Sequence, residues 1–252
     1  MNGYLAFVKK EFAENIKNYR FLIMLAVFLV FGMLSAFLAK FTPEILSALG
    51  AEMKMASEPI ALDAWKQFYK NISGVGFSAV IILYGSCLSG EYSKGTLILM
   101  VTKGLSRKAV IFAKYTVAAV LMTISYWGSY VFTYGYTAFL WPDAKLSNVA
   151  LAALALWIVG LLYLSILMVG CVLFKQTFTS ILFTGGIVAL VSLLGIMEPL
   201  TKFSPFNLTT QNIDLISGIV APSDFVMPVL TSVIMSILGL LIAIKLFNSK
   251  AL

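Results

Sequence analysis

The sequence predicts an all-α integral membrane protein with six transmembrane helices and an interfacial amphipathic helix at its N-terminus. Three observations carry this: an apolar composition, six long apolar runs, and basic residues gathered at the ends of those runs. Of 252 residues, 60% are hydrophobic and 12% charged, whereas a soluble domain carries about 25% charged and 45–50% apolar residues. Mean hydropathy is +0.95. Such a chain lacks the polar groups needed to cover a water-facing surface, so residues 1–252 read as a single membrane domain.

Residues 1–20 come first. Leu5, Val8, Phe12, Ile16 and Tyr19 recur at three- and four-residue spacing, with Lys9, Lys10, Glu14 and Lys17 largely opposite, the pattern of a helix lying in the membrane interface. A cytosolic extension of the first span is the alternative. The first apolar run begins late and continues for a full span, so a cleaved signal peptide is not expected.

Spans follow at residues 21–39, 72–89, 110–141, 148–174, 177–197 and 227–247, each long enough for a hydrocarbon core of about 30 Å. The third run, at 1.5 Å per residue, measures about 48 Å, so its first turns, around Lys114, are expected to project beyond the hydrocarbon. In the loop 40–71, Pro43 and Pro59 bracket a stretch, 44–55, expected to rest as a helix on the outer face. Residues 198–228 carry Pro199, Pro205, Pro222 and Pro228 among polar residues, which predicts short helices and turns. Gly185-Gly186 and the pair Gly74 and Gly76 are expected to permit close helix approach, with a functional kink as the alternative.

Orientation follows from charge. Lys9, Lys10, Lys17, Arg20, Lys94, Lys103, Arg107, Lys108, Lys114, Lys175, Lys245 and Lys250 share the side of the termini, against Lys40, Lys54, Lys66, Lys70, Lys145 and Lys202 opposite. The two-to-one bias predicts cytoplasmic N- and C-termini. The net charge of +7 is thereby explained by topology, and no nucleic-acid partner is expected because the basic residues form no continuous stripe.

Several function classes recede. Histidine is absent and both cysteines, Cys87 and Cys171, sit in apolar runs, so no metal site is expected. The central thirds of the spans hold no ionisable group, which disfavours an ion-coupled carrier, and no intramembrane carboxylate pair suggests a protease. A Gly-x-x-x-x-Gly-Lys-Ser/Thr loop is missing, so no catalytic residues for ATP hydrolysis by that route are expected in this chain.

The most informative segment is residues 90–108. A short apolar stretch, 96–101, sits between charged residues, too short to span and too greasy for a solvated loop. It reads as a short helix, a corner at Gly104, and a new helix capped by Ser106. It suits a protein partner, or else a tight re-entry loop packed on the bundle. Along the third span, Thr123, Tyr126, Trp127, Tyr130, Thr133, Tyr134 and Thr137 form a hydroxyl-aromatic stripe. Helix packing or a dimer contact is one reading, and a translocation surface carried by Thr123, Tyr126, Tyr130, Thr133 and Tyr134 is the other.

Glu91, Gly95-Thr96-Leu97, Leu99 and Thr102-x-x-Leu105-Ser106-Arg107 resemble the loop between the second and third spans of ABC-2 type transporter permeases. Lys9-Lys10-Glu11-Phe12 with Arg20 resembles that family's interfacial elbow helix, and the six-span layout extends the resemblance over essentially the whole chain. Gly104 stands where family members often have proline. The resemblance implies that Glu91, Gly95, Thr96, Leu97, Leu99, Thr102, Leu105, Ser106 and Arg107 form a coupling segment docked on a separate ABC ATPase subunit, which binds ATP and Mg. It further implies two ATPase copies, a second permease copy as homodimer or related heterodimer, and a multi-pass place among the lipids of a bacterial cytoplasmic membrane. The expected role is export of a hydrophobic or amphipathic substrate such as a peptide. A non-transporting anchor or sensor subunit of an ATPase complex is the alternative.

Overall fold

One buried core shared by most of the helices, with lipid-accessible faces around it, organises the computed structural model, which describes residues 2–48, 58–96, 105–197 and 200–249. The helices are α1 (Asn2–Lys17), α2 (Arg20–Ala48), α3 (Ala61–Asn71), α4 (Phe77–Tyr84), α5 (Ser89–Lys94), α6 (Arg107–Leu140), α7 (Val149–Leu173), α8 (Thr177–Leu194), α9 (Asn207–Thr210), α10 (Asn212–Ile216) and α11 (Val226–Ser249). Among the described residues, six stretches are long and apolar enough to cross a membrane: Arg20–Ile45, Ala61–Tyr92, Arg107–Leu140, Val149–Leu173, Thr177–Leu194 and Pro222–Ser249. No strand occurs among the described residues.

Helix α7 is the axle: it packs along α11, and also touches α6, α8 and the small helices α9 and α10. The second pair is α2 against α6. There Gly32 allows contact, since a Cβ on it would lie 2.5 Å from Ser129 Oγ and 2.9 Å from Ser129 O. Gly160 plays the same part in α7, where a Cβ would come within 2.8 Å of the Phe77 ring.

Three expectations are corrected. Pro43 does not open an outer helix but lies inside α2, which runs to Ala48. A proline interrupts one backbone hydrogen bond, and close to a helix end the freed carbonyl can be satisfied by water. The expected helix 44–55 therefore overlaps the end of α2, and its part at 49–55 lies outside the described residues.

The second correction concerns the second span, which begins not at residue 72 but at Ala61, as α3 leads through a π-helical turn, Ile72–Gly76, into α4. Lys66, Gln67, Lys70 and Asn71 dilute the hydropathy of α3, yet Ala61, Ala64, Trp65, Phe68 and Tyr69 form a buried stripe at helical spacing. Its start is fixed by Asp63, whose carboxylate accepts the Ile60 N–H at 3.0 Å, an acid in the positive first turn.

Third, a Cβ at Gly74, Gly185 or Gly186 would meet nothing within 4 Å, and one at Gly76 meets Phe28 at an ordinary 3.4 Å. Gly74 and Gly76 instead fall in the π-helical turn. Helix α1 turns Phe7, Glu11 and Asn15 toward the protein and leaves Leu5, Phe12, Ile16 and, just beyond its end, Tyr19 exposed. The apolar face thus stays available for an interface. The segment after α8 forms short helices as expected: a 3-10 turn Leu200–Phe203, then α9 and α10, then a second 3-10 turn Pro222–Phe225.

Candidate functional site

Lys114 lies on α6 about 10 Å along the axis from Arg107, and its side chain is only 5% exposed. A lone charge there would carry a large desolvation penalty. It is instead held between two carboxylates, 3.0 Å from Glu11 Oε2 on α1 and 3.0 Å from Glu91 Oε1 on α5. Lys10 joins the same group, 3.0 Å from Glu11 Oε1 and 3.3 Å from Glu91 Oε1, and it reaches out to Glu14 at 2.9 Å. The Phe7 ring lies beneath both ammonium groups, 5.3 Å from Lys10 Nζ and 5.8 Å from Lys114 Nζ, where its π face adds attraction.

Burial works against the charge of Lys10, but its hydrogen bonds to Glu14 and Glu11 and the negative charges of Glu11 and Glu91 prevail, raising its pKa above the usual lysine range. The hydrogen bond from Lys10 likewise holds the Glu14 carboxyl below its ordinary value. Glu91 Oε2 is buried without a hydrogen-bond partner among the described residues.

The short helix α5 is therefore anchored on one side by Glu91. On its other side the Ser89 and Thr177 hydroxyls meet at 2.7 Å, and Lys175 Nζ stands 5.7 Å over the Tyr92 ring. Gly95 ends α5 in the left-handed conformation at φ 64°, where a side chain would strain the backbone. The Thr96 hydroxyl donates to Glu91 O at 3.4 Å.

Leu97, Leu99, Thr102 and the corner at Gly104 lie outside the described residues. Where the chain resumes, Leu105 packs against the core, and Ser106 Oγ accepts the Ala109 N–H at 3.3 Å as the cap of α6. Arg107 Nη1 donates to the carbonyls of Phe247 and Asn248 at 3.0 and 3.1 Å, a cation at the negative end of α11. Both chain ends thus gather at the end of the bundle where α5 sits. Sequence reasoning singled out Glu91 but not Lys114 or Glu11 as its partners; the visible signal was a lysine seven residues into an apolar helix, which needs a counter-charge.

The stripe on α6 divides. Tyr126 is buried, its hydroxyl donating to Ala153 O at 2.6 Å, and the buried Thr133 hydroxyl lies 2.9 Å from Gly32 O and 3.0 Å from Ser129 O. These two join helices. Thr123 accepts the Trp157 indole N–H at 3.0 Å and lines an open groove of about 400 Å³ with Tyr115, Thr116 and Leu161. Tyr130 packs on Trp65 and Trp127 and stacks on Tyr134 at 6.2 Å. Tyr134 is exposed and lines a second cavity of about 210 Å³ with Trp65, Thr137 and Trp141.

Compared with known families, residues 5–249 match the family model described as ABC-2 family transporter protein. None of the curated proteins matches the chain.

Proposed function

This chain belongs to the ABC-2 transporter family, and from that premise we propose that it is the permease subunit of an ATP-driven exporter for hydrophobic or amphipathic cargo, energised by a separate ATPase subunit. The observation that carries the reading is α5 with the stretch that follows it. A short helix ending at a left-handed glycine leads into the apolar residues Thr96-Leu97-Ile98-Leu99-Met100-Val101, which are too few to span and need a protein surface to cover them.

In this reading Glu91, Gly95, Thr96, Leu97, Leu99, Thr102, Leu105, Ser106 and Arg107 form or hold the coupling segment, at the cytoplasmic end together with both termini. Two permease copies enclose the path and two ATPase subunits bind ATP and Mg. Nucleotide-driven closure of the ATPases shifts the permease pair between two packings. Thr123, Tyr130 and Tyr134, which line the groove and cavity on α6 or stack beside them, are the stripe residues available to cargo, whereas Tyr126 and Thr133 hold the walls.

Changing Leu97 or Leu99 to Asp tests the docking role. A carboxylate forced into an apolar cleft costs several kcal/mol, enough to reduce affinity by orders of magnitude. The expected result is loss of the co-expressed ATPase on purification, with normal membrane insertion and with Ser57→Asp as an unaffected control. Full retention of the ATPase by both loop variants would overturn the docking assignment and favour a non-transporting anchor.

A further inference from the structure

We propose that Lys114, together with Glu11, is the positioning element that carries a displacement of the coupling segment into the N-terminal helix and the third span. The proposal rests on the coupling role just given to α5 and goes beyond it by naming the route.

The route follows from how α5 is held. Toward α8 its ties are a hydroxyl pair, Ser89 with Thr177, and a lysine over an aromatic ring, Lys175 with Tyr92. Such contacts re-form with water at little cost when they part. Toward α1 and α6 the tie is ionic and buried: one ammonium, Lys114, is shared at 3.0 Å by Glu91 of α5 and Glu11 of α1.

Exposed ion pairs separate easily, but separating one partner of a buried pair leaves an uncompensated charge in the interior. A pull on Glu91 therefore moves Lys114 and Glu11 with it, and α5, α1 and the first turns of α6 travel as one body. Lys10 closes the group by bridging the same two carboxylates from the solvent side. Glu91 Oε2, buried and without a hydrogen-bond partner among the described residues, supplies an acceptor on which the ammonium groups can re-pair after a small rotation. In this proposal that acceptor gives the joint a second arrangement that keeps every charge compensated, the two-state element a coupling route requires.

The test uses the full chain with its co-expressed ATPase, reconstituted in phosphatidylethanolamine–phosphatidylglycerol vesicles. Spin labels at Leu5, exposed on α1, and Phe178, exposed on α8, report their separation with and without ADP-vanadate. The wild-type complex is expected to show a nucleotide-dependent change in that distance. The double variant Lys114→Met with Glu11→Gln removes the joint while leaving Glu91 paired with Lys10, so no new buried charge is orphaned; it is expected to keep the ATPase bound and lose the distance change. Lys114→Arg, which can still bridge two carboxylates, and Ser89→Ala with Thr177→Val, which cuts the opposite tie, are expected to keep it.

An unchanged distance in the wild-type complex, or an undiminished change in the double variant, overturns the proposal. Equal loss in the Ser89/Thr177 variant also overturns it, because α5 would then need only general anchoring. The Leu97→Asp variant, run alongside, separates the two levels. If it still binds the ATPase, the docking reading fails; if it releases the ATPase while the Lys114/Glu11 variant moves normally, only the route fails.

Discussion

The two ends of α6 are joined to their neighbours by opposite means. From Arg107 to Lys114 the polar contacts, beside the buried apolar residues Val110, Ile111 and Ala113, are charge on charge or charge on carbonyl: Lys114 between Glu11 and Glu91, Arg107 on the last carbonyls of α11. From Tyr126 onward they carry no charge and combine close packing with neutral hydrogen bonds: Gly32 against Ser129, the Tyr126 hydroxyl on Ala153 O, and Trp65 among Tyr130 and Tyr69. Interlocked side chains resist small displacements because each has few vacant positions to move into. A buried ionic joint tolerates displacement so long as its charges stay together. Movement transmitted through this chain is therefore expected to begin at the charged end, with the aromatic end serving as the fixed frame.

The strongest way to break the contrast is Lys114→Met. Removing one partner of a buried ionic group costs about 3–5 kcal/mol, so the thermal midpoint of the variant in mild detergent is expected to fall well below that of the wild type. Adding Glu11→Gln is expected to recover most of the loss, since Lys10 can then serve Glu91 alone. If Lys114→Met is as stable as the wild type, water already reaches the site and the joint is not a buried one.

The frame has its own test. Alanine at Gly32 must displace Ser129, whose Oγ and O lie 2.5 and 2.9 Å from the new Cβ, and overpacking of this kind costs about 1–3 kcal/mol. Alanine at Gly185, where a Cβ meets nothing within 4 Å, is expected to be neutral or to gain up to about 1 kcal/mol from helix propensity. Detergent thermal scans of the two variants measure the difference. Should Gly185→Ala prove the costlier, a surface from another copy covers that face of α8 in the assembled protein.

That pair of glycines also shows what the sequence makes legible. Six spans, the N-terminal amphipathic helix and the broken segment before the last span can be read from apolar length, spacing and proline, because each is a local property. Which glycine lies at a helix contact is not local: Gly32 and Gly185 look alike in sequence, and only the helix opposite distinguishes them. The same holds for the charge cluster, since Lys114 and its partner Glu11 are 103 residues apart, and for α3, whose buried stripe was present in the sequence but masked by four polar residues on its other face. Glu91 and Glu11 each lie in a recognisable motif, but neither motif names a partner for its carboxylate, and Lys114 lies in none.

The smallest effect sharpens the boundary of the cluster. Glu14 touches it only through Lys10, at 2.9 Å and with 42% of its side chain exposed. Its pKa is lowered chiefly by the hydrogen bond from Lys10, against some desolvation, with help from the charges of Lys10, Lys114 and Arg20. A carboxyl whose pKa falls on folding adds stability at pH above its unfolded value, near 4.5, and loses it as pH drops through the folded value. Solvent screening limits the contribution to less than about 1 kcal/mol. Glu14→Gln is therefore expected to lower the thermal midpoint only slightly at neutral pH. The gap to wild type should close on acidification below about 4.5, and should narrow in roughly 1 M salt, where the screening length is about 3 Å. A salt-insensitive loss as large as that of Lys114→Met would mean that the ionic network extends to the helix surface as one unit. The division between a buried joint and a solvated rim would then have to be redrawn to include Glu14.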